Sequence, residues 1–246
     1  METASHYALL DSGDGRKLER FGPYVLARPC SQAIWRPSLP GSAWEAASAA
    51  FDREKGLNWH GRERLPGEWT IAVDGITFRL SSTDFGHLGI FPEQRDSWRW
   101  IDAAQGMVEW ARRNAELNGL KAWPIRWIVD DAHKFLAREV KRGRRYDGIV
   151  LDPPSFGRGA RGEVYKLERD LPATLALCRR VLSDRPAFVL LSAHTPGVTQ
   201  TVLRHLLEDA FGDLRGTVED GEMFLRGAEG VRPVPSGCMA RWSSRA

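Results

Sequence analysis

Residues 149–156, with the sequence IVLDPPSF, decide how the rest of the chain is interpreted. The apolar residues predict a buried strand, and Pro153 and Pro154 must end it, because proline has no backbone N–H and a fixed φ. Asp152 is therefore expected at the carboxyl end of a strand, where open α/β sheets bind their ligands. A carboxylate and an aromatic ring on one rigid turn suit a flat, amino-bearing substrate such as a nucleobase. The alternative is an ordinary strand-terminating turn.

Composition excludes several classes of protein. Of the 246 residues, 42% are hydrophobic and 27% are charged, which is typical of a soluble globular protein. The sequence has neither an apolar run of about 18 residues nor a signal-peptide pattern at its N-terminus, so we expect no membrane partner. The three cysteines, Cys30, Cys178 and Cys238, are isolated from one another. They fit a reducing cytoplasm and predict neither a metal site nor a disulfide framework.

The charge balance permits nucleic-acid binding without requiring it. The net charge is +3 and the sequence pI is about 8.9. One basic cluster, residues 141–145 (KRGRR), stands out, and arginine suits phosphate contact through its planar guanidinium. The alternative is a solvated helix end, where cations interact favourably with the negative end of the helix dipole.

From about residue 100 onward, predicted helices and strands alternate. Helices are predicted over 103–118, 132–142, 164–182 and 197–211, and strands over 125–129, up to Asp152, and over 187–191. Two further strands, over 222–226 and 237–242, are predicted to be antiparallel. Such alternation with short connections predicts a mostly parallel sheet covered on both faces by helices. A loop that contains Gly157, Gly159 and Gly162 follows Asp152, and residues 157–159 within it are expected to be mainly a flexible lid.

The first 95 residues show a different pattern. Short strand-like segments cover 20–26, 33–36, 69–73 and 76–80, and a short helix is predicted within 39–51. Asp74-Gly75 is a strong signal for a tight hairpin. We therefore expect a small β-rich module over residues 1–95, followed by an α/β domain over residues 96–246.

Carboxylates follow three consecutive predicted strands. Asp102, Asp131 and Asp152 would meet at one edge of the sheet. In nucleotide-binding α/β folds such an acid accepts hydrogen bonds from ribose hydroxyls. Helix capping is the alternative for Asp102 and Asp131, because aspartate is a preferred N-cap residue. An edge that collects like charge is tolerated best where a donor-rich or cationic ligand binds.

Together these segments resemble the class I S-adenosylmethionine-dependent methyltransferases, and more narrowly the ribosomal RNA large-subunit base methyltransferases. The resemblance covers roughly residues 70–240, and it implies an α/β fold with a Rossmann-like sheet behind an N-terminal β-rich module. It is carried by residues 89–95 (GIFPEQR), 102–105 (DAAQ), 114–118 (NAELN), 131–136 (DAHKFL) and 152–156 (DPPSF).

The resemblance implies a cofactor site for S-adenosylmethionine. Asp102 would hold the ribose, and Asp131 would accept from the adenine amino group with the Ala132 backbone beside the ring. Gln94 would border the cofactor, and Asp152 would face its methyl group.

The same resemblance implies catalytic roles for the turn formed by Asp152, Pro153, Pro154, Ser155 and Phe156. Methyl transfer needs no metal, because alignment of the nucleophile supplies much of the rate. Asp152 could orient an attacking nitrogen or accept its proton, and Phe156 could stack on an extruded base.

One departure from the family concerns its main cofactor-binding segment. The family places a strand and a glycine-rich loop between the equivalents of Arg95 and Asp102, where this chain has six residues, 96–101. A strand, loop, helix and second strand need about 30 residues or more. The sheet is therefore expected to lack its first strand-loop-helix unit. Either the chain is an internally deleted copy with poor or no cofactor binding, or its sequence has lost a segment, or a partner or the N-terminal module fills the gap.

A second departure concerns the substrate atom. Relatives that methylate a pyrimidine ring carbon use a cysteine after the next strand, because that carbon needs covalent activation. The matching residues 192–195 are SAHT, and Cys178 has the spacing of a core residue. A base nitrogen in ribosomal or other RNA is therefore the favoured target. His194 would approach the site as a base or substrate contact, or would be an ordinary strand-end residue. The alternatives to RNA methylation are a catalytically inactive RNA-binding relative and a methyltransferase for a small molecule or protein.

Overall fold

The computed structural model describes residues 6–53, 56, 58–95, 108–158 and 164–245. These residues divide into two compact units, and the chain passes between the units more than once. The first unit contains the described residues up to Arg95, residues 108–127 and Phe224–Pro235, and the second contains those of Ile128–Met223 and of 236–245.

The first unit is built on a five-stranded sheet with the strand order β1-β2-β3-β4-β5. Its strands are β1 (Tyr7–Gly13), β2 (Arg16–Phe21), β3 (Tyr24–Pro29), β4 (Ala49–Asp52) and β5 (Asn58–His60), with the short helix α1 (Gly41–Glu45) before β4. Only β3 and β4 pair in parallel. Buried Phe21, Leu26 and Ile71 belong to the main apolar cluster of this unit.

Two sequence predictions for this unit are wrong in detail. Residues 20–26 do not form one strand, because a turn with Gly22 at φ 65° separates β2 from β3. Residues 33–36 are irregular, and the carbonyls of Ala33 and Trp35 accept hydrogen bonds from the turn that joins β1 to β2. These backbone groups are satisfied by the turn, so they need no strand partner.

The predicted hairpin is confirmed. Strands β6 (Trp69–Val73) and β7 (Ile76–Leu80) pair around Asp74 and Gly75, which have φ of 51° and 80°. Positive φ at both central residues is what a tight turn of this kind requires.

Helix α2 (Val108–Leu117) covers the outer edge of this hairpin. The side-chain oxygens of Asn114 and Asn118 accept from the backbone N–H groups of Arg79 and Thr77, each at 2.8 Å. These two bonds satisfy donors that an edge strand would otherwise leave open. The helix confirms the later part of the prediction for 103–118, and residues 103–107 lie outside the described residues.

The second unit is α/β, as the sequence predicts. Its helices are α3 (Ala132–Lys141), α4 (Leu167–Val181) and α5 (Gln200–Phe211), and its strands are β8 (Gly148–Leu151), β9 (Phe156–Arg158), β10 (Val164–Lys166), β11 (Phe188–Ala193), β12 (Gly216–Leu225) and β13 (Val234–Ser244). The main sheet has the order β12-β13-β11-β8. The helices bury leucines such as Leu136, Leu171 and Leu207 against Val189 and Leu191 of β11.

This sheet is mixed and has less parallel pairing among the described residues than the sequence predicts. Within the described chain β8 pairs only with β11, in parallel, whereas β11 and β13 are antiparallel. The strand predicted over 125–129 is also absent: Ile125 is 36% and Val129 is 85% exposed, and neither lies in a ladder. Alternating apolar residues form a strand only beside a neighbouring strand, and within the described residues no strand pairs with this segment.

The segment after β8 differs from the expected loop. Strands β9 and β10 form an antiparallel hairpin in which Phe156 faces Lys166 and Gly157 faces Tyr165. Gly159 of the predicted lid and Gly162 of the predicted loop lie outside the described residues. Part of the predicted lid is therefore regular structure.

Candidate functional site

The candidate site forms at the carboxyl ends of β8 and β11, and Asp152 is its central acid. Asp152 directly follows Leu151, the last residue of β8, and its side chain is 33% exposed. Ser192, which is 4% exposed on β11, donates its hydroxyl to Asp152 Oδ1 at 2.6 Å. A buried donor on the neighbouring strand therefore fixes the carboxylate while leaving part of it open to a ligand.

His194 joins the same carboxylate from the end of β11. Its Nε2 lies 3.6 Å from Asp152 Oδ1, and its side chain is 36% exposed. The other ring nitrogen, Nδ1, lies against Gly237 of β13, where an added Cβ would come within 2.8 Å. The His194 ring thus lies between the Asp152 carboxylate and the backbone of Gly237.

The turn itself is tied to the strand end by a second hydroxyl. The buried Thr195 donates to Ser155 Oγ at 2.7 Å, and the carbonyl of Ser155 accepts from the Leu167 N–H at the start of α4. Between these contacts Pro153 and Pro154 restrict the backbone, since each fixes its own φ. The turn is therefore a rigid support for a ligand that contacts Asp152.

Phe156 begins the hairpin beyond this turn, and the residue is 51% exposed. On the opposite strand Tyr165 packs against the core, and its hydroxyl is buried without a hydrogen-bond partner among the described residues. Burial, together with Asp170 and Glu168, raises the pKa of Tyr165 to about 12, so the hydroxyl keeps its proton. The hairpin thus places an exposed aromatic ring close to the turn, whereas the Tyr165 hydroxyl is buried.

Asp131 and Ala132 lie at the start of α3. Asp131 is the N-cap of this helix, and its Oδ1 accepts from the Lys134 N–H at 2.8 Å. The neighbouring Asp130 forms an ion pair with Arg138. Capping accounts for this one contact of Asp131, whose residue is exposed. A role toward adenine stays a prediction.

Gln94 and Asp102 are the two remaining candidates for the cofactor site, and the structure says less about their roles. Gln94 ends a 3-10 turn, Pro92–Gln94, in the first unit, and its N–H donates to the Phe91 carbonyl at 3.0 Å. Arg95 beside it pairs with Asp74 of the hairpin turn. Asp102 lies outside the described residues.

The cysteines are not placed as nucleophiles. Cys178 is fully buried in α4, and burial raises the pKa of its thiol to about 12, which confirms the expectation of a core residue. Cys238 lies beside the site on β13, which the sequence did not reveal, and its thiol is directed at the Val198 carbonyl at 3.4 Å. Burial, and then Glu222, raise the pKa of Cys238 to about 11, so it is not poised for covalent attack.

A cavity of the second unit lies at the other end of the sheet. Its volume is about 600 Å³, and its lining includes Arg145, Arg180 and Ser183. Arg145 precedes β8 and Ser183 precedes β11, so this cavity lies at the amino ends of the parallel strands, away from Asp152. The predicted basic cluster 141–145 therefore lies at a helix end, with Arg142 paired to the buried Glu139 at 2.9 Å.

No helix in the described ranges is long and apolar enough to cross a membrane. No group of three histidine, cysteine or acidic side chains comes together in that part of the chain as a metal site would require.

Comparison with known proteins places this geometry in a family. A solved structure of a SAM-dependent methyltransferase from Agrobacterium tumefaciens aligns with a TM-score of 0.89 and 33% identity, and the alignment covers 100% of this chain and 92% of that one. A more distant structure, of a methyltransferase complexed with SAH, is 16% identical with a TM-score of 0.71 over 98% of this chain and 76% of that chain, which concerns the fold alone. The chain belongs to the SAM-dependent methyltransferases.

Curated relatives match shorter parts of the chain. The Ribosomal RNA large subunit methyltransferase I of Erwinia tasmaniensis is 29% identical over 130 residues, which is 52% of this chain and 32% of that protein. The Ribosomal RNA large subunit methyltransferase K of Neisseria meningitidis is 34% identical over 71 residues, which is 28% of this chain and 20% of that protein. The chain thus matches a third or less of the length of these relatives. No model of a known protein family matches it.

Proposed function

We propose that this chain is an S-adenosylmethionine-dependent methyltransferase that acts on a base nitrogen of RNA, with ribosomal RNA as the leading candidate. The observation that carries the proposal is Asp152, held at a strand end by Ser192 and His194 and followed by two prolines and an exposed phenyl ring. The RNA substrate is proposed from the names of the curated relatives.

The chemistry asked of these residues is positioning and proton transfer. Bound S-adenosylmethionine supplies an electrophilic methyl group. Asp152 accepts a hydrogen bond from the amino or imino group of the base and thereby directs the nitrogen lone pair. The exposed ring of Phe156 stacks on the base, and His194 takes up the proton that the base loses. The protonated thiol of Cys238 favours nitrogen over the ring-carbon route, which needs a thiolate.

Two residues at the start of α3 are proposed for the adenosine part of the cofactor. Asp131 and Ala132 begin α3, which follows Asp130, and the Asp131 residue is exposed. For the methionine part, the sequence offers no glycine-rich loop between Arg95 and Asp102. We therefore propose that five residues hold the cofactor: Asp131, Ala132, Asp152, Asp102 and Gln94. No step of the proposed mechanism depends on a glycine-rich loop.

A second candidate function is an inactive RNA-binding relative. It is favoured by the short connection between Arg95 and Asp102, where the sequence offers no glycine-rich loop for the cofactor. Methylation of a small molecule or protein is a third reading, because a fold does not fix its substrate.

Calorimetric titration with S-adenosylhomocysteine is the first test. Micromolar binding that is lost in Asp131→Ala supports the enzyme. If the folded chain binds RNA but does not bind S-adenosylhomocysteine, the result supports the inactive relative. Turnover on a protein or metabolite fraction without turnover on RNA supports the third reading.

Transfer of a labelled methyl group to RNA tests the role of Asp152. We expect Asp152→Asn to lower kcat by about 10²- to 10⁴-fold, since general acid–base groups contribute about this much. Asp147→Asn is the matched control, because Asp147 precedes the same strand and also accepts from a serine, Ser183, at 2.6 Å. Equal activity of the two variants would remove Asp152 from the mechanism.

A further inference from the structure

The β-rich first unit contains a small cavity that neither the resemblance nor the comparisons assign. Its volume is about 160 Å³. An engineered apolar cavity of about 150 Å³ admits one benzene ring, so this space suits a single planar ring or a phosphate group. Its basic lining residues are Lys17, Arg28 and Arg53.

The side chain of Arg28 is held in place by contacts within the protein. Its side chain is 11% exposed, and it forms an ion pair of 2.7 Å with Glu19, whose side chain is fully buried. The guanidinium also donates to the Gly86 carbonyl at 3.2 Å and lies over the ring of Phe21 at 5.1 Å. Such an arginine keeps its orientation and loses little freedom on binding.

The charge of the cavity is positive overall. Lys17 lies 3.3 Å from Glu19, which therefore faces two cations, and no ion pair is seen for Arg53 within the described residues. Three cations thus stand against two carboxylates, Glu19 and the lining residue Glu93. The field is felt by His87, whose pKa is lowered by burial and then by Arg28, Arg53 and Lys17.

The same cavity has an aromatic wall. Phe91, which is 42% exposed, lines it and meets the His87 ring edge-on at 5.9 Å between centroids. Phe51 forms the inner side, packed so closely on Gly86 that an added Cβ there would come within 2.6 Å of the ring. Cations beside an accessible aromatic ring are the combination with which proteins hold single-stranded nucleic acid.

We propose that this cavity is a docking pocket for one unpaired nucleotide of the RNA. The base stacks on Phe91, and Glu93 accepts from its amino or imino group, as acidic side chains do at base edges. The flanking phosphate faces Arg53 and Lys17. The inference rests on the proposed function for the identity of the polymer, and it assigns the β-rich unit a share in binding the substrate.

Binding of a fluorescent single-stranded RNA decamer to the full chain tests the proposal. We expect Phe91→Ala to weaken binding about tenfold, because base–aromatic stacking contributes that much or more. Phe91→Leu keeps the apolar surface and should weaken binding nearly as much. Arg53→Gln should reduce the salt slope of the affinity by about 0.7, the loss of one phosphate contact.

Arg20→Gln is the matched control for charge. Arg20 is exposed on β2 beside Glu19 and lies on the other face of that strand, away from the cavity. It should leave the salt slope unchanged. Equal effects of Arg20→Gln and Arg53→Gln, or unchanged affinity in Phe91→Ala, would overturn the pocket.

Photo-crosslinking separates this proposal from the proposed function. A decamer containing 4-thiouridine should attach to the peptide that carries Phe91, and excess unlabelled decamer should suppress the product more than the mononucleotide or inorganic phosphate does. Crosslinks confined to other segments would contradict the pocket and leave the methyltransferase intact. Crosslinking at Phe91 in a chain that transfers no methyl group would keep the pocket and contradict the enzyme.

Discussion

Asp152 shows how far single residues can be understood from the sequence. An acid between an apolar run and two prolines is placed at a strand end by backbone chemistry alone, and it lies there. Its neighbour Ser192 was not singled out, because the 2.6 Å contact joins residues 40 positions apart on two strands. Cys238 and Gly237 escaped notice for the same reason: they approach the site only through the antiparallel pairing of β13 with β11.

Gly237 provides a test at this scale. Its φ is 118°, and a Cβ would come within 2.7 Å of the Ala193 carbonyl oxygen and 2.8 Å of His194 Nδ1. We expect Gly237→Ala to lower the free energy of unfolding by about 1–3 kcal/mol through backbone strain, and to lower methyl transfer by displacing His194. Gly221→Ala on β12 is the control, since nothing lies within 4 Å of the added carbon. Urea unfolding and a methyl-transfer assay measure both, and an equal loss in the two variants would contradict the role of Gly237.

Among the elements, the helix start at Asp131 separates two roles of one carboxylate. Asp131 caps α3, so Asp131→Ala should lower the free energy of unfolding by about 1 kcal/mol. Asp131→Ser keeps a good N-cap with a shorter side chain, so it should preserve stability while weakening binding of S-adenosylhomocysteine. Urea unfolding and calorimetry check the two effects. If Asp131→Ser binds as tightly as the wild type, capping is the whole role of Asp131.

The elements that follow from the sequence are those with local causes. The hairpin at Asp74-Gly75 depends on two residues that tolerate positive φ, and helix α3 depends on its cap and apolar face. The strand predicted over 125–129 failed because a strand also depends on its neighbour. Strand β1 was not predicted, although it pairs with β2 in a local hairpin around Asp14 and Gly15, whose φ values are 49° and 71°. The burial of Leu9 against Leu225, in contrast, involves residues that are distant in sequence.

At the scale of the whole molecule, the two compact units cannot be predicted by cutting the sequence at one position, because each unit contains separate segments of the chain. The described residues of 108–127 and Phe224–Pro235 cluster with the N-terminal residues, although both follow residue 95. The buried group Leu9, Leu225 and Val234 illustrates the cause, since the first of these is more than 200 residues from the others in sequence. The boundary at residue 95 stays a prediction, and limited proteolysis of the full chain would test it.

The buried carboxylate of Glu19 should make the stability of the protein fall in acid. Burial by itself raises its pKa, but Arg28 and Lys17 outweigh burial and hold the pKa of Glu19 below 4.5. The unfolded chain therefore binds the proton first as pH falls, so the contribution of Glu19 is fully present above about pH 4.5 and is lost as pH falls through the lower, folded-state value. Urea unfolding between pH 7 and pH 3, followed by tryptophan fluorescence, should show this decline. Glu19→Gln should be less stable at pH 7, because Arg28 loses its charged partner, and should show a shallower acid decline. An equally steep decline in Glu19→Gln would assign the acid sensitivity to other carboxylates.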